Sequence, residues 1–233
     1  MLLGLSFFMV MSQAQAQKLT VAVASNFVTT LEALAPEFSA QTGIEVVIVS
    51  GSTGKLATQI QAGAPFDVFL SADDKATKAL LGKNIGSDEF TYALGRLVIY
   101  APKHADAEAL FTSQAFSHVA IANPKLAPYG VAAQQSLQEL GLFDILQSKI
   151  VMGENISQAF AMAETGNAEL AFVAASQVAG KAGSFWVVPA NLYAPIRQNV
   201  VRLNDRPESS AFLQYLKSSS ARDLIRAKGY DVP

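Results

Sequence analysis

Apolar and polar positions along the 233-residue chain follow two alternating rhythms, and the first lies at Leu19-Thr20-Val21-Ala22-Val23-Ala24. This run, rich in β-branched residues, predicts a buried strand closed by the Ser25-Asn26 turn. From Val28 to Gln41 the period changes: Val28, Leu31, Leu34, Ala35 and Phe38 recur at helical spacing, with Gly43 as C-cap and Pro36 as an expected kink. Ile44 to Val49 predicts a second strand, and a short helix carrying Leu56, Ala57 and Ile60 follows. Phe66-Asp67-Val68-Phe69-Leu70 predicts a third, before a helix start at Ser71-Ala72-Asp73-Asp74 with acidic residues in its first turn. This β-α-β-α-β-α alternation implies parallel pairing with helices on both faces, an arrangement in which ligands sit at the carboxyl ends of strands.

A fresh pattern begins after the strand Leu97 to Ala101. It comprises a strand at Val119 to Ala122, a turn at Asn123-Pro124, and a helix opened by Ala127-Pro128-Tyr129-Gly130 and running to Leu140. A short helix through Leu146 and another opened by Gly153-Glu154-Asn155-Ile156 come next. Leu170 to Ala174 and Phe185 to Val188 predict strands on either side of a brief helix near Ser176 to Ala179. Ile196 to Leu203 is strand-like, and the tail carries helices at Glu208 to Lys217 and Ala221 to Lys228. Packing that sparsely charged tail back on the first lobe gives two crossovers, near 96–101 and 193–201. The expected division is a leader over 1–16, lobe I over 17–97 and 200–233, and lobe II over 98–199, with a hinge between the lobes.

Residues 1–16 read as a secretory leader: an apolar run from Leu2 to Met11 is followed by Ala14-Gln15-Ala16, an A-x-A cleavage pattern that places the mature start at Gln17. Seventeen basic against 19 acidic residues give a formal charge of −2, which suggests neither nucleic acid nor an anionic membrane as partner. With no cysteine, disulfides, thiolate nucleophiles and cysteine metal sites are excluded.

The candidate chemistry lies at two turns. In Val49-Ser50-Gly51-Ser52-Thr53-Gly54-Lys55 an apolar strand ends in small hydroxyl residues and glycines before a helix, and Ala24-Ser25-Asn26 repeats the device. Glycine lets backbone approach a ligand, a helix start leaves N–H groups unpaired, and the hydroxyls add donors. Two such turns could face one small anion, although either alone is equally well an ordinary N-cap. A P-loop is excluded, because a glycine is required where Val49 sits and Ser or Thr where Leu56 sits. His104 and His118 read as surface residues, Asp67, Asp73 and Asp74 as buried or capping carboxylates rather than a metal set, and Lys55 as a solvated helix residue. No G-x-S-x-G elbow occurs.

The chain resembles the periplasmic molybdate-binding proteins of ABC importers along essentially its whole mature length. The stretches that carry the likeness are Thr20 to Asn26, Ser50 to Gly63, Ala64-Pro65-Phe66-Asp67-Val68-Phe69-Leu70-Ser71-Ala72-Asp73, Ala122-Asn123-Pro124 through Gly130, and Lys228-Gly229-Tyr230. The resemblance implies a type II periplasmic binding fold: two α/β lobes, each a mixed sheet flanked by helices, closing on molybdate or tungstate. It places ligand donors at Ser25, by hydroxyl and N–H, with Asn26 adjacent, and at Thr53, ahead of Ser52. Lobe II would add the backbone N–H groups of Tyr129 and Ile156. Ala174 stands where many members have a ligand tyrosine, and Asn26, where many have an apolar residue, could replace that phenol. The implied partner is a membrane permease, and the implied protein is a periplasmic monomer without cofactor, free metal cation or catalysis. Another oxyanion, sulfate or phosphate, is the alternative ligand; an enzyme on the same scaffold is less favoured.

Overall fold

The computed structural model describes residues 17–233, so the expected leader lies outside the described residues. In the first half, β1 (Lys18–Ala24) leads through a single 3-10 turn, Ser25–Phe27, into α1 (Val28–Thr42), β2 (Glu45–Gly51), α2 (Thr53–Gln61), β3 (Val68–Ser71), α3 (Asp74–Leu81) and β4 (Ser87–Gly95). The chain continues with β5 (Leu97–Ala101), α4 (Ala107–Ser113), β6 (Val119–Ala122), α5 (Pro128–Glu139), α6 (Phe143–Leu146), β7 (Ile150–Gly153), α7 (Ile156–Glu164), β8 (Leu170–Ala174), α8 (Ala175–Val178) and β9 (Ser184–Val187). It ends with β10 (Ile196–Arg202), α9 (Pro207–Leu216) and α10 (Ser219–Ala227).

The strands form two mixed five-stranded sheets, ordered β2-β1-β3-β10-β4 and β7-β6-β8-β5-β9. β1 pairs in parallel with β2 and β3, as the alternation predicts, while β10 lies antiparallel between β3 and β4. The second sheet repeats the scheme, with β6 parallel to β7 and β8, and β5 antiparallel to β8 and β9. β4 and β7 are absent from the expected strands. Phe90, Tyr92 and Leu94 do alternate at strand period, but Asp88 and Glu89 open the run and register shifts interrupt its pairing; Ile150–Gly153 has only four residues in which to show a period.

Side-chain alternation sorts the core. In the first sheet Leu19, Val21 and Val23 face one way, onto Phe27, Leu31, Leu34, Phe38, Phe212 and Ile225 of the α1, α9 and α10 layer. Ala22, Phe69 and Val201 face the other way, onto Leu56, Ile60 and Leu80 of α2 and α3. The tail helices therefore return to the first lobe, as their apolar stripes require. Each fully buried Leu, Val or Phe contributes roughly 1.5–3 kcal/mol. α1 runs on through Pro36, which lies on its exposed face, where water can satisfy the carbonyl that proline leaves unbonded.

The chain passes between sheets at Gly95-Arg96-Leu97 and again between Val187 and Ile196, and Gly95 pairs with Ile196 so that the two passages lie side by side. The division read at 97/98 falls one residue inside β5 of the second sheet, and that at 199/200 falls within β10 of the first.

Candidate functional site

Helix starts at the carboxyl ends of strands from both lobes converge on one small space. β1 delivers Ser25 and Asn26 on its 3-10 turn, β2 delivers Gly51 and the start of α2 at Thr53, and from lobe II come Pro128 and Tyr129 of α5 and Ile156 of α7. All five residues expected from the sequence, Ser25, Asn26, Thr53, Tyr129 and Ile156, line this cavity together with Ala24, Gly51, Ala72, Ala127 and Pro128. Every one of the five is at most 9 % exposed. The space measures about 10 Å³, roughly the room of a single water.

Backbone geometry explains why donors face it. Thr53 and Ile156 are the first residues of their helices and Tyr129 the second, so their N–H groups precede the first intrahelical acceptor. Pro128 at the head of α5 suits that place, since its missing N–H would be unpaired there anyway. Thr53 Oγ1 accepts from Ala72 N–H at 3.2 Å, which leaves the hydroxyl proton free for the cavity. Among the described residues no Asp, Glu, Lys, Arg or His lines the space; its positive field comes from helix dipoles and N–H groups.

The lobes touch at the rim. Gly54 N–H donates to the Leu126 carbonyl at 2.9 Å, Ser157 Oγ donates to the Ser25 carbonyl at 3.2 Å, and Ser176 Oγ donates to the Asn26 carbonyl at 3.2 Å. A Cβ at Gly54 would sit 3.2 Å from that Leu126 oxygen, so the close approach favours glycine. Lys55, expected to be merely solvated, forms an ion pair across the cleft with Glu154; both ends are exposed, which keeps its energy small.

Asn26 differs most from its expected role. Both protons of its amide have protein partners, Gln198 Oε1 at 2.8 Å and Tyr230 Oη at 3.0 Å. The side-chain amide is therefore committed to partners within the protein. Ala174 is buried at the end of β8 and is not among the lining residues. Ser52 does not line the space either, yet its hydroxyl is buried with no hydrogen-bond partner among the described residues. Gln198 and Tyr230 are the polar partners that sequence reasoning did not assign; a glutamine inside the strand-like run Ile196 to Leu203 is the signal that could have found one of them.

The carboxylates stay apart from the site's chemistry. Asp73 caps α3 by accepting from Ala76 N–H at 2.8 Å, and burial raises its pKa against that bond. Asp67 accepts from Thr20 N–H, Asn204 and Arg206 at 2.7–3.0 Å, fixing the tail to lobe I. Among the described residues no His, Cys, Asp or Glu cluster could hold a metal ion, and His104 and His118 are exposed.

The family model for bacterial extracellular solute-binding proteins matches residues 19–231. The chain belongs to that family. Within it, the molybdate-binding protein ModA of Azotobacter vinelandii is 46 % identical over 229 residues, covering 93 % of this chain and 91 % of the relative. ModA of Rhodobacter capsulatus is 43 % identical over 225 residues, covering 93 % and 89 %. Among solved structures, the A. vinelandii periplasmic molybdate-binding protein superposes with a TM-score of 0.86 at 40 % identity, covering 92 % of this chain and 99 % of the other. The solute-binding protein described here thus has the type II periplasmic binding fold, two mixed sheets flanked by helices and joined by paired crossovers.

Proposed function

We propose that this solute-binding protein captures molybdate or tungstate between its lobes in the periplasm and presents the closed, loaded form to the membrane permease of an ABC importer. The observation that carries the reading is the cavity itself: donors from both lobes converge on it, and none of its lining side chains is a carboxylate or a cationic group. Molybdate and tungstate are fully deprotonated dianions at neutral pH, so a donor-only site suits them. A phosphate that retains a proton would call for an acceptor. Neutral donors also avoid burying an unpaired charge while the site is empty. The names of the relatives at 46 % and 43 % identity support the same ligand.

On this reading Ser25 supplies its hydroxyl and N–H, Thr53 its hydroxyl, and Asn26, Tyr129 and Ile156 their N–H groups. An ion of four oxygens needs the lobes slightly further apart than they stand here, and enters only when they separate. The protein acts as a monomer, holds no cofactor and catalyses no reaction; it binds, closes and is recognised. Calorimetry and thermal shift with the chain from Gln17 would test this, using molybdate, tungstate, sulfate and phosphate in turn. Tight binding of the first two with the others silent is the expected result, since a ligand of the folded state raises the melting temperature with the logarithm of its excess over Kd. Equal binding of sulfate or phosphate would remove molybdate as the assigned cargo.

A further inference from the structure

Two of the cavity's residues direct their side chains away from it and onto the paired crossovers. Tyr129 contributes backbone to the cavity, but its ring runs to the end of β4. A Cβ placed on Gly95 would lie 2.1 Å from Tyr129 Oη, 2.9 Å from Tyr129 Cζ and 3.1 Å from Gln198 Nε2. Only the missing side chain of Gly95 lets the phenol seat there. Asn26, the neighbour of Ser25, sends its amide to Gln198 Oε1 at 2.8 Å. Gln198 lies two residues into β10, in register with Ala93, while Ile196 opposite Gly95 begins the strand. Both crossovers are thus gripped by side chains whose own backbones line the anion space.

The Tyr129–Gly95 contact spans the lobes, since Tyr129 lies on α5 over the second sheet whereas Gly95 ends β4 of the first; the Asn26–Gln198 bond stays within the first lobe and holds β10 beside that seat. Tyr129 Oη is buried beside Tyr230 Oη without a well-aligned hydrogen bond, and Tyr92 Oη is buried with no hydrogen-bond partner among the described residues. An unpaired buried hydroxyl disfavours the state that buries it. The seat therefore stabilises closure through ring packing and penalises it through the hydroxyl, a balance that opening would relax.

We infer that Gly95 and Gln198 are positioning residues for ligand binding: they form a seat for Tyr129 and Asn26 that couples occupancy of the cavity to the angle between the lobes. The identity of the ligand rests on the proposed function; the coupling rests on the contacts themselves.

The test uses Gly95→Ala, Tyr129→Phe and the double variant, with molybdate affinity by calorimetry and radius of gyration by small-angle scattering, ligand-free and at saturating molybdate. Gly95→Ala should weaken binding at least tenfold and remain extended at a molybdate concentration that contracts the wild type. Tyr129→Phe should bind at least threefold more tightly, because closure no longer buries an unpaired hydroxyl. The double variant should regain part of the affinity lost by Gly95→Ala, the ring end being free to shift once the oxygen is gone. Wild-type affinity and dimensions in Gly95→Ala, or a double variant no tighter than Gly95→Ala, would overturn the inference. If Gly95→Ala does not fold, Tyr129→Phe decides: tighter binding supports the seat, and equal or weaker binding overturns it. If the wild type binds none of the four oxyanions, the proposed ligand falls, and ligand-free scattering still judges the coupling. A more extended Gly95→Ala supports it, and equal dimensions overturn it.

Discussion

Replacing Thr53 by valine keeps the shape of the side chain and deletes its hydroxyl, which separates two roles of one oxygen. Thr53 is 2 % exposed, and its Oγ1 accepts the N–H of Ala72, itself 1 % exposed. In Thr53→Val that N–H loses its acceptor inside the protein, at a cost of about 1–3 kcal/mol in stability. For a chain of this size each kcal/mol lowers the melting temperature by about 2–4 °C. The second role is donation to the anion: a hydrogen bond to a charged group is worth about 1.5–3 kcal/mol, and every 1.4 kcal/mol is about tenfold in Kd. Affinity for molybdate should therefore fall about 10- to 150-fold. Thr53→Ser, which retains the hydroxyl, should stay within about threefold of the wild type, allowing for its lost methyl group. Calorimetry at a temperature where all three proteins are folded reads the binding loss, and ligand-free melting reads the stability loss. Thr53→Val binding molybdate within twofold of the wild type would refute the donor role. A lowered melting temperature with intact affinity would assign the hydroxyl to Ala72 alone.

Ser25→Ala should weaken molybdate binding by about 1–3 kcal/mol while leaving the Ser157 contact in place, because that bond ends on the Ser25 carbonyl; unchanged affinity in a titration would remove the Ser25 hydroxyl from the site. Since no carboxylate, lysine, arginine or histidine lines the cavity, the dissociation constant measured from pH 6 to 9 should be nearly flat, and a tenfold change across that range would point to a titrating ligand group. The stability that three buried phenols confer should be full below pH 10 and decline above it: burial pushes the Tyr230 phenol up to about 12 and the Tyr92 and Tyr129 phenols well above their ordinary value. The folded state thus holds protons that the unfolded chain releases from about pH 10. Tyr230 alone accounts for about 3 kcal/mol lost between pH 10 and 12, to be read by denaturant melts; a flat profile to pH 12 would contradict this. Lys55→Ala should change molybdate affinity less than about threefold, because exposed ion pairs are worth about 0–1 kcal/mol.

Local sequence carried much of this protein. Short apolar runs ending in Ser25 and Thr53 specify strands that stop where helices begin, and a helix start exposes N–H groups whatever the rest of the chain does. Five lining residues were legible for that reason and through their match to a known pattern. β4 and β7 were not: the alternation of β4 opens on Asp88 and Glu89, β7 has only four residues in which to show a period, and pairing with neighbouring strands supplies the order that local pattern leaves open. Tertiary structure alone decided what the side chains at the site do. Asn26 reads locally as a donor beside Ser25, but its amide is committed to Gln198 and Tyr230, which lie 172 and 204 residues away. Tyr129 reads as a helix-start residue, yet its ring is fixed by the bare backbone of Gly95 on the opposite lobe. Lys55 reads as solvated, yet the packed lobes place Glu154 beside it. Strand ends and helix starts follow from nearest neighbours in the chain, whereas the partner of a buried polar group depends on which distant residue the packed lobes bring within hydrogen-bonding distance.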